Sequence, residues 1–146
     1  MGINKSTGTY ILIIRSQEKK DFRIGKLGVF PFHKGYYLYV GSAFGPGGLN
    51  ARIGRHLLRV KKHHWHIDYL TLKKPIIDVW FSSHYERLEC RWGNIMSRNK
   101  ELQCPVPGFG SSDCSCLSHL FFSKRRPLLI YFQDFLGNGL ERWGDI

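Results

Sequence analysis

Runs of apolar, β-branched and aromatic residues divide the chain and predict its strands. The most continuous run, at residues 9–15, has apolar side chains at consecutive positions, which predicts a strand that is buried on both faces. Similar runs at residues 35–42 and 75–82 predict two further strong strands. Weaker patterns predict short strands at residues 22–27, 119–122 and 127–132.

Apolar residues at three- and four-residue spacing predict two helices. The first covers residues 49–60 and follows a glycine-rich break. Its apolar stripe consists of Leu49, Ile53, Leu57 and Val60. The basic run at residues 61–64 suits the negative end of that helix dipole. The second helix covers residues 85–96, and the segment 65–72 between them is irregular or a short helix.

The order of these elements indicates one domain of the α+β class. Strands and helices alternate irregularly, and the chain has neither an internal repeat nor a linker long enough to divide it. Its 146 residues suffice for one domain with a proper core. We therefore expect a small, mostly antiparallel central sheet flanked by helices. The core would cover about residues 8–122, and residues 123–146 would form a C-terminal extension ending in a weak helix or coil.

The net charge of the chain indicates the class of molecule that it binds. Lys and Arg number 22 against 11 Asp and Glu, a formal net charge of +11, which favours a polyanion such as nucleic acid. No stretch approaches the roughly 18 apolar residues of a membrane span, so we expect no membrane partner. Four cysteines without a recognisable secretion signal suggest reduced thiols and a cytoplasmic location. The sequence leaves the oligomeric state open.

Two tyrosines carry the most suggestive chemistry. Tyr10 closes the tripeptide Gly8-Thr9-Tyr10, and Tyr39 opens Tyr39-Val40-Gly41. We expect their strands to lie close together because only a short meander links them. Arg52 and His56 are four residues apart, so they share one face of the first helix, which we expect to be its surface. Two phenols, a guanidinium and an imidazole could together surround one phosphate, although each residue alone could equally serve packing or solubility.

In this order the motifs resemble those of the GIY-YIG nuclease superfamily, which is named for such a pair of tripeptides. The resemblance continues through Arg52 and through Glu89 in the second helix. Residues 64–70, 107–114 and 118–121 look like one branch of it, the domain-of-unknown-function 123 family. Together these segments span about residues 8–122. The tripeptides alone are weak signals, but the ordered set is specific.

The resemblance implies an endonuclease that hydrolyses DNA with one divalent metal. Glu89 would hold Mg²⁺ or Mn²⁺, and Glu86 is the rival ligand. Arg52 would bind a non-bridging phosphate oxygen. Tyr10 or Tyr39 would orient or deprotonate the attacking water. A phenol acting as a base needs a nearby cation to lower its pKa, which Arg52 could supply.

His56 matches a histidine that some restriction-enzyme members carry at this helical offset. It would assist the water or bind phosphate.

One departure from the family pattern keeps a second function open. Many GIY-YIG members carry a late asparagine near the active site, whereas Ser112 or Asp113 occupies the comparable loop here. A module that binds nucleic acid without cutting it is therefore the alternative. A third possibility is a small-molecule or protein-interaction domain whose charge is incidental.

Other basic residues are candidates for binding phosphate, and other His, Cys and Asp residues are candidates for binding a metal. A basic groove would contact backbone phosphates, although a solvated helix face is the alternative. Its members are Arg55, Arg59, Lys61, Lys62, His63 and His64. His64, His66 and Asp68 could form a metal site, but a packed His–Asp pair is the commoner arrangement. Structural zinc is disfavoured because the spacing is tighter than usual for such sites. Its candidate ligands would be Cys104, Cys114, Cys116 and His119, with Cys90 in reserve.

Overall fold

A central sheet and four flanking helices make up the computed structural model, which describes residues 6–110, 118–137 and 139–144. Two further strands form a small second sheet, and a 3-10 turn, Gly25–Leu27, lies between them. The elements in chain order are β1 (Gly8–Ser16), β2 (Lys20–Arg23), β3 (Val29–Phe32), β4 (Gly35–Ala43), α1 (Gly48–Leu57), α2 (Asp68–Thr71), β5 (Ile76–Ser82), α3 (Glu89–Ser97), β6 (Leu120–Ser123), α4 (Leu129–Leu136) and β7 (Glu141–Arg142).

The five strands of the main sheet lie in the order β6-β4-β1-β5-β7, and neighbouring strands are antiparallel. The central strand is β1, whose residues 8–14 are all buried, as the continuous apolar run predicts. Its register with β4 places Tyr10 opposite Gly41 and Leu12 opposite Tyr39. The predicted proximity of the two tyrosines is confirmed.

The two faces of the sheet carry separate apolar clusters. Tyr10, Leu12 and Ile14 pack with residues of α1 and α2 on one face, because successive strand residues point to opposite sides. Ile11 and Ile13 pack with residues of α3 and α4 on the other. Helices therefore cover both faces, and the α+β class predicted from the sequence is confirmed. None of the helices in the described parts of the chain is long and apolar enough to cross a membrane.

The glycines of the two tripeptides are required by close approach. A Cβ atom on Gly41 would overlap the ring of Tyr10 on the neighbouring strand, and one on Gly8 would overlap the backbone oxygen of Ser82 on β5. Real Cβ atoms essentially never come so near. A side chain at Gly41 would therefore displace Tyr10, which links the second tripeptide physically to the first.

The strand predicted at residues 127–132 is wrong, because residues 129–132 form the start of helix α4. An apolar run of this length does not by itself distinguish a strand from a buried helix. Phe132 and Leu136 are four residues apart and both are buried, as a helix packed on the sheet requires. The ring of Phe132 lies 5.0 Å from that of Trp80. The segment beyond α4 adds β7 to the edge of β5, so the C-terminal extension completes the sheet.

Three other boundaries differ from those predicted. The weak strand at residues 22–27 is replaced by the β2–β3 hairpin, which spans the 3-10 turn. Helix α3 begins at Glu89 rather than at residue 85. Helix α1 ends at Leu57, and Val60, predicted to lie in its apolar stripe, is 88% exposed. The segment after α1 thus leaves apolar side chains in solvent.

Candidate active site

Most of the catalytic residues predicted from the sequence line one cleft of about 480 Å³. Its lining includes four of the five predicted catalytic residues, namely Tyr10, Tyr39, Arg52 and Glu89. They come from β1, β4, α1 and α3, so the tertiary fold gathers four separate elements at one point. The fifth, His56, lies behind Tyr10 rather than in the lining of the cleft.

Both tyrosines are held as neutral phenols. Their ring centroids are 6.5 Å apart, and each side chain is almost fully buried. Burial raises the pKa of Tyr10 well above its usual value, with the nearby Tyr39 adding to the effect. Burial and the charge of Glu89 likewise raise the pKa of Tyr39. Arg52 lowers both pKa values, as the sequence suggested, but burial outweighs it.

His56 is buried and contacts Tyr10, which corrects the expectation that it lies on the helix surface. Its Nε2 atom is 2.6 Å from the Tyr10 hydroxyl, and the side chain is 1% exposed. Burial, reinforced by the charge of Lys61, lowers the pKa of His56 to about 3. The imidazole is therefore neutral at ordinary pH, and with a proton on Nδ1 it accepts the hydrogen bond of the phenol.

The buried His56 leads us to expect that mild acid weakens the fold. Its pKa is about 3 in the folded chain and about 6.5 when unfolded, so the unfolded chain binds more protons between those values. Stability should therefore fall as the pH drops from 6.5 towards 3. Between about pH 7 and pH 5 we expect a loss of about 2 kcal/mol in the free energy of unfolding. Urea denaturation at both pH values measures this loss.

The matched variant for this prediction is His56→Gln, which keeps a polar side chain but cannot titrate. Its free energy of unfolding should vary less with pH than that of the wild type, by about the same 2 kcal/mol. An unchanged pH dependence in the variant would show that His56 is not the neutral, buried group described above.

Arg52 is fixed at the cleft by a backbone carbonyl and an indole ring. Its Nη1 donates a hydrogen bond of 2.8 Å to the Ser42 oxygen, and its Cζ lies 4.4 Å from the centre of the Trp65 ring. Trp65 also lines the cleft, yet the sequence analysis gave it no role of its own. A second guanidinium, Arg87, lines the cleft as well and lies 4.7 Å from the ring of Phe44.

Asp68 anchors the loop that carries Trp65. It accepts backbone N–H bonds from His64 and Trp65 at 2.8 and 2.9 Å. The Arg55 guanidinium donates to both carboxylate oxygens, at 2.9 and 3.1 Å. Burial disfavours the charge of Asp68, but Arg55 and the two N–H groups outweigh it, so the pKa is lowered. Arg55 was predicted to contact backbone phosphates. Its guanidinium instead binds Asp68 within the protein.

We expect Asp68→Ala to lower the free energy of unfolding by about 3 kcal/mol, since it leaves a half-buried guanidinium and two N–H groups without their acceptor. Urea denaturation near neutral pH measures the change. The exposed Asp134 of α4 provides the control, because Asp134→Ala should cost less than about 0.5 kcal/mol. Equal effects of the two substitutions would contradict an anchoring role for Asp68.

Glu89, not Glu86, reaches the cleft. Glu89 is the first residue of α3 and is partly exposed, whereas Glu86 lies outside the lining of the cleft and pairs with His84 at 3.8 Å. The start of α3 is fixed by Thr9, whose buried hydroxyl accepts the Leu88 N–H at 3.1 Å. Thr9, the middle residue of the first tripeptide, thus fixes Leu88. The next residue, Glu89, thereby has its carboxylate beside Tyr10.

His119, which the sequence analysis assigned only to a zinc set, lies beside the carboxylate of Glu89. Its Nδ1 lies 3.2 Å from Oε2 of Glu89, and its ring lies beside Gly93, one turn further along α3. Backbone hydrogen bonds to Phe109 and Val40 fix the position of His119 at the start of β6. The motif at residues 118–121 was the signal that could have identified this contact with the carboxylate.

The donor set suits one hydrated divalent cation. Glu89 offers a carboxylate with 26% of its side chain exposed, in a cleft large enough for water molecules. Mg²⁺ keeps several waters and commonly takes one or two carboxylates together with substrate phosphate. Within the described parts of the chain no group of three or more His, Cys, Asp or Glu could hold a metal by itself. A metal at Glu89 would need substrate and water to complete its shell.

The other metal sets receive no support from the described residues. Nδ1 of His66 accepts a hydrogen bond from the Gly110 N–H and Asp68 binds Arg55, and among the described residues these two form no metal-binding group of three or more with His64. In the candidate zinc set, Cys114 and Cys116 lie outside the described residues. So do Ser112 and Asp113, the predicted contributors from the loop.

The basic residues after α1 divide into two groups. The Lys61 ammonium donates to the carbonyl oxygens of Arg55 and His56, at 3.2 and 2.7 Å, and so caps the end of the helix. Arg59, Lys62, His63 and His64 are exposed and could meet a ligand. The structure therefore leaves these four of the six predicted phosphate contacts at the surface.

Comparison with known proteins identifies a family. A search among curated proteins and another among solved structures each found no match. The sequence does match a family described as a domain of unknown function, DUF123, over residues 9–136. This span covers the cleft and nearly all of the sheet. The chain therefore belongs to the DUF123 family.

Proposed function

We propose that this protein is a metal-dependent endonuclease of GIY-YIG type that hydrolyses DNA phosphodiester bonds in the cleft. The observation that carries the proposal is the meeting of two phenols, a guanidinium and a carboxylate in one cleft of about 480 Å³. Residues for binding phosphate, orienting water and holding a metal are thereby within reach of one phosphodiester. The net charge of +11 adds attraction for a polyanion.

Positively charged residues would bind the phosphate. Arg52 is already oriented by Ser42 and Trp65, so little side-chain entropy is lost when its remaining N–H groups bind a non-bridging oxygen. Arg87, on the same cleft, would contact the next phosphate along the strand. Glu89 would hold Mg²⁺ or Mn²⁺, which polarises the phosphate and stabilises the leaving oxygen when bound.

Tyr10 and His56 would handle the proton of the attacking water. When His56 carries its own proton on Nδ1, Tyr10 donates its hydrogen to Nε2, and the Tyr10 oxygen keeps its lone pairs for the water. As water attacks phosphorus, its proton passes to the Tyr10 oxygen while the Tyr10 proton passes to Nε2 of His56. No free phenolate forms, which suits the raised pKa of Tyr10. Burial lowers the pKa of His56 to about 3, so its imidazolium form is a strong acid. It therefore releases the proton after the water has attacked.

The reaction balances as a simple hydrolysis. The water oxygen forms a bond to phosphorus, the bond from phosphorus to the leaving sugar oxygen breaks, and that oxygen takes a proton from solvent. Glu89 is kept in place by His119 and by the Thr9 anchor at the start of α3. Tyr39, whose ring lies 6.5 Å from that of Tyr10, would hold the phosphate or the water by a hydrogen bond.

A module that binds nucleic acid without cutting it is the second candidate. The observation in its favour is that burial raises the pKa of both tyrosines, so neither is a ready base by itself. The two candidates share the same surface and differ only in whether the proton transfer through His56 operates.

A cleavage assay tests the proposal. Wild-type protein is incubated with end-labelled single-stranded, duplex and branched DNA, in Mg²⁺ or in EDTA. We expect discrete cleavage products in Mg²⁺ with at least one of these DNAs and none in EDTA. Salt-sensitive binding without cleavage of any substrate would favour the second candidate. Absence of binding at low salt would contradict both candidates.

A further inference from the structure

We infer that a second pocket, separate from the cleft, binds an unpaired nucleotide and directs the protein to ends, breaks or branches in nucleic acid. The inference rests on the proposed nucleic-acid function. The pocket, called the α1–α2 pocket below, has a volume of about 420 Å³. Residues 56–59 at the end of α1 form one wall, and residues 71–76 form the other.

The charge of the α1–α2 pocket suits a phosphate. Arg59 and Lys73 line it and are exposed, and no Asp or Glu of the described residues is in the lining. Lys74 also lines the pocket, but its ammonium donates to the Ser16 hydroxyl at 2.8 Å. Arg59 and Lys73, on opposite walls, are therefore the cations left for a phosphate.

The α1–α2 pocket has room for one nucleotide, since its volume is about 420 Å³. Leu57 and Leu58 on one wall could contact the base while Arg59 and Lys73 hold the phosphate.

Exposed apolar side chains lie on one wall of the pocket, where Leu57 and Leu58 belong to the lining, and just beyond it along the chain at Val60. Leu57, Leu58 and Val60 are 38%, 52% and 88% exposed. Two hydrogen bonds hold their segment against the end of α1, since the Lys61 ammonium donates to the His56 carbonyl and Arg55 binds the Lys62 carbonyl at 3.1 Å. Apolar side chains interact with the faces of bases, which an intact duplex conceals and an unpaired nucleotide exposes.

An anionic membrane surface would also attract a basic segment with apolar side chains. The nucleotide is favoured because it can enter the α1–α2 pocket and place its phosphate between Arg59 and Lys73, whereas a lipid surface would cover only the exposed side chains outside the pocket. The test below includes vesicles so that the two ligands are separated.

The experiment measures binding by fluorescence anisotropy in the Glu89→Gln variant, so that cleavage does not interfere. The probes are a blunt DNA duplex and the same duplex with an unpaired thymidine tail. We expect the tailed duplex to bind more tightly. The added pair Leu58→Ser and Val60→Ser should weaken binding of the tailed duplex about tenfold, and that of the blunt duplex less than about twofold. The control pair Ile130→Ser and Tyr131→Ser, on the exposed face of α4, should change neither.

Three results would overturn the inference. The first is equal binding of tailed and blunt duplexes, and the second is an equal loss on both in the Leu58 and Val60 variant. The third is loss of binding to phosphatidylserine vesicles in that variant while binding of the tailed duplex is unchanged. Each leaves the nuclease proposal standing if the wild type cleaves the blunt duplex. Failure to bind either duplex would overturn both proposals.

Discussion

Glu89→Gln is expected to lower the single-turnover rate of DNA cleavage in Mg²⁺ by about a thousandfold. The substitution keeps the size of the side chain but removes the charge that would hold the metal. Metal stabilisation of transition-state charge is worth several kcal/mol, and each 1.4 kcal/mol is tenfold in rate. Glu89 is partly exposed and packs at the rim of the cleft, so the fold should persist. Quenched-flow or manual sampling of end-labelled DNA measures the rate.

The matched control for this variant is Glu86→Gln. Glu86 precedes Glu89 by three residues but lies outside the lining of the cleft, so the substitution should alter the rate by less than about twofold. Circular dichroism and DNA affinity of both variants should match those of the wild type. If Glu86→Gln abolished cleavage while Glu89→Gln did not, the metal ligand assigned above would be wrong.

The second large effect is expected for Tyr10→Phe, which should reduce the cleavage rate by about a hundredfold or more. The loss follows because the phenol both orients the water and passes its proton to His56. His56→Gln should produce a similar loss, and combining the two substitutions should add little because both groups act in one step. Single-turnover rates at saturating protein separate this loss from an effect on DNA binding.

Tyr131→Phe is the control for this prediction, since Tyr131 is exposed on α4 and far from the proposed step along the chain. It should cleave at the wild-type rate. A Tyr10→Phe variant that retained full activity would exclude the proton transfer through Tyr10 and His56. Tyr39 would then be the remaining phenol in the cleft.

The sequence predicted the elements whose local pattern is unambiguous. The uninterrupted apolar run at residues 9–15 forms a buried central strand because both of its faces must be covered. The order in which the two tripeptides, Arg52 and Glu89 occur along the chain predicted which residues would lie together in the cleft. Their meeting requires only that β1 and β4 pair and that each following helix pack back on the sheet. These relations follow from short connections.

The remaining features depend on tertiary contacts that no local pattern reveals. Spacing placed His56 on the same helix face as Arg52, but whether that face is buried depends on Tyr10 across the core. The choice between Glu86 and Glu89 depends on Thr9, which fixes the start of α3 from another strand. Trp65 lies in an irregular segment whose shape is set by Asp68 and Arg55.

Cleavage in heavy-oxygen water tests the central claim most directly. Wild-type protein, Mg²⁺ and DNA react in this solvent, and mass spectrometry reads the oxygen isotope in each new terminal phosphate. We predict one solvent oxygen in each new phosphate for the wild type, no protein–DNA adduct, and a corresponding loss of products with Glu89→Gln. Products without solvent oxygen, a covalent adduct at either tyrosine, or equal product formation by Glu89→Gln would contradict hydrolysis in this cleft.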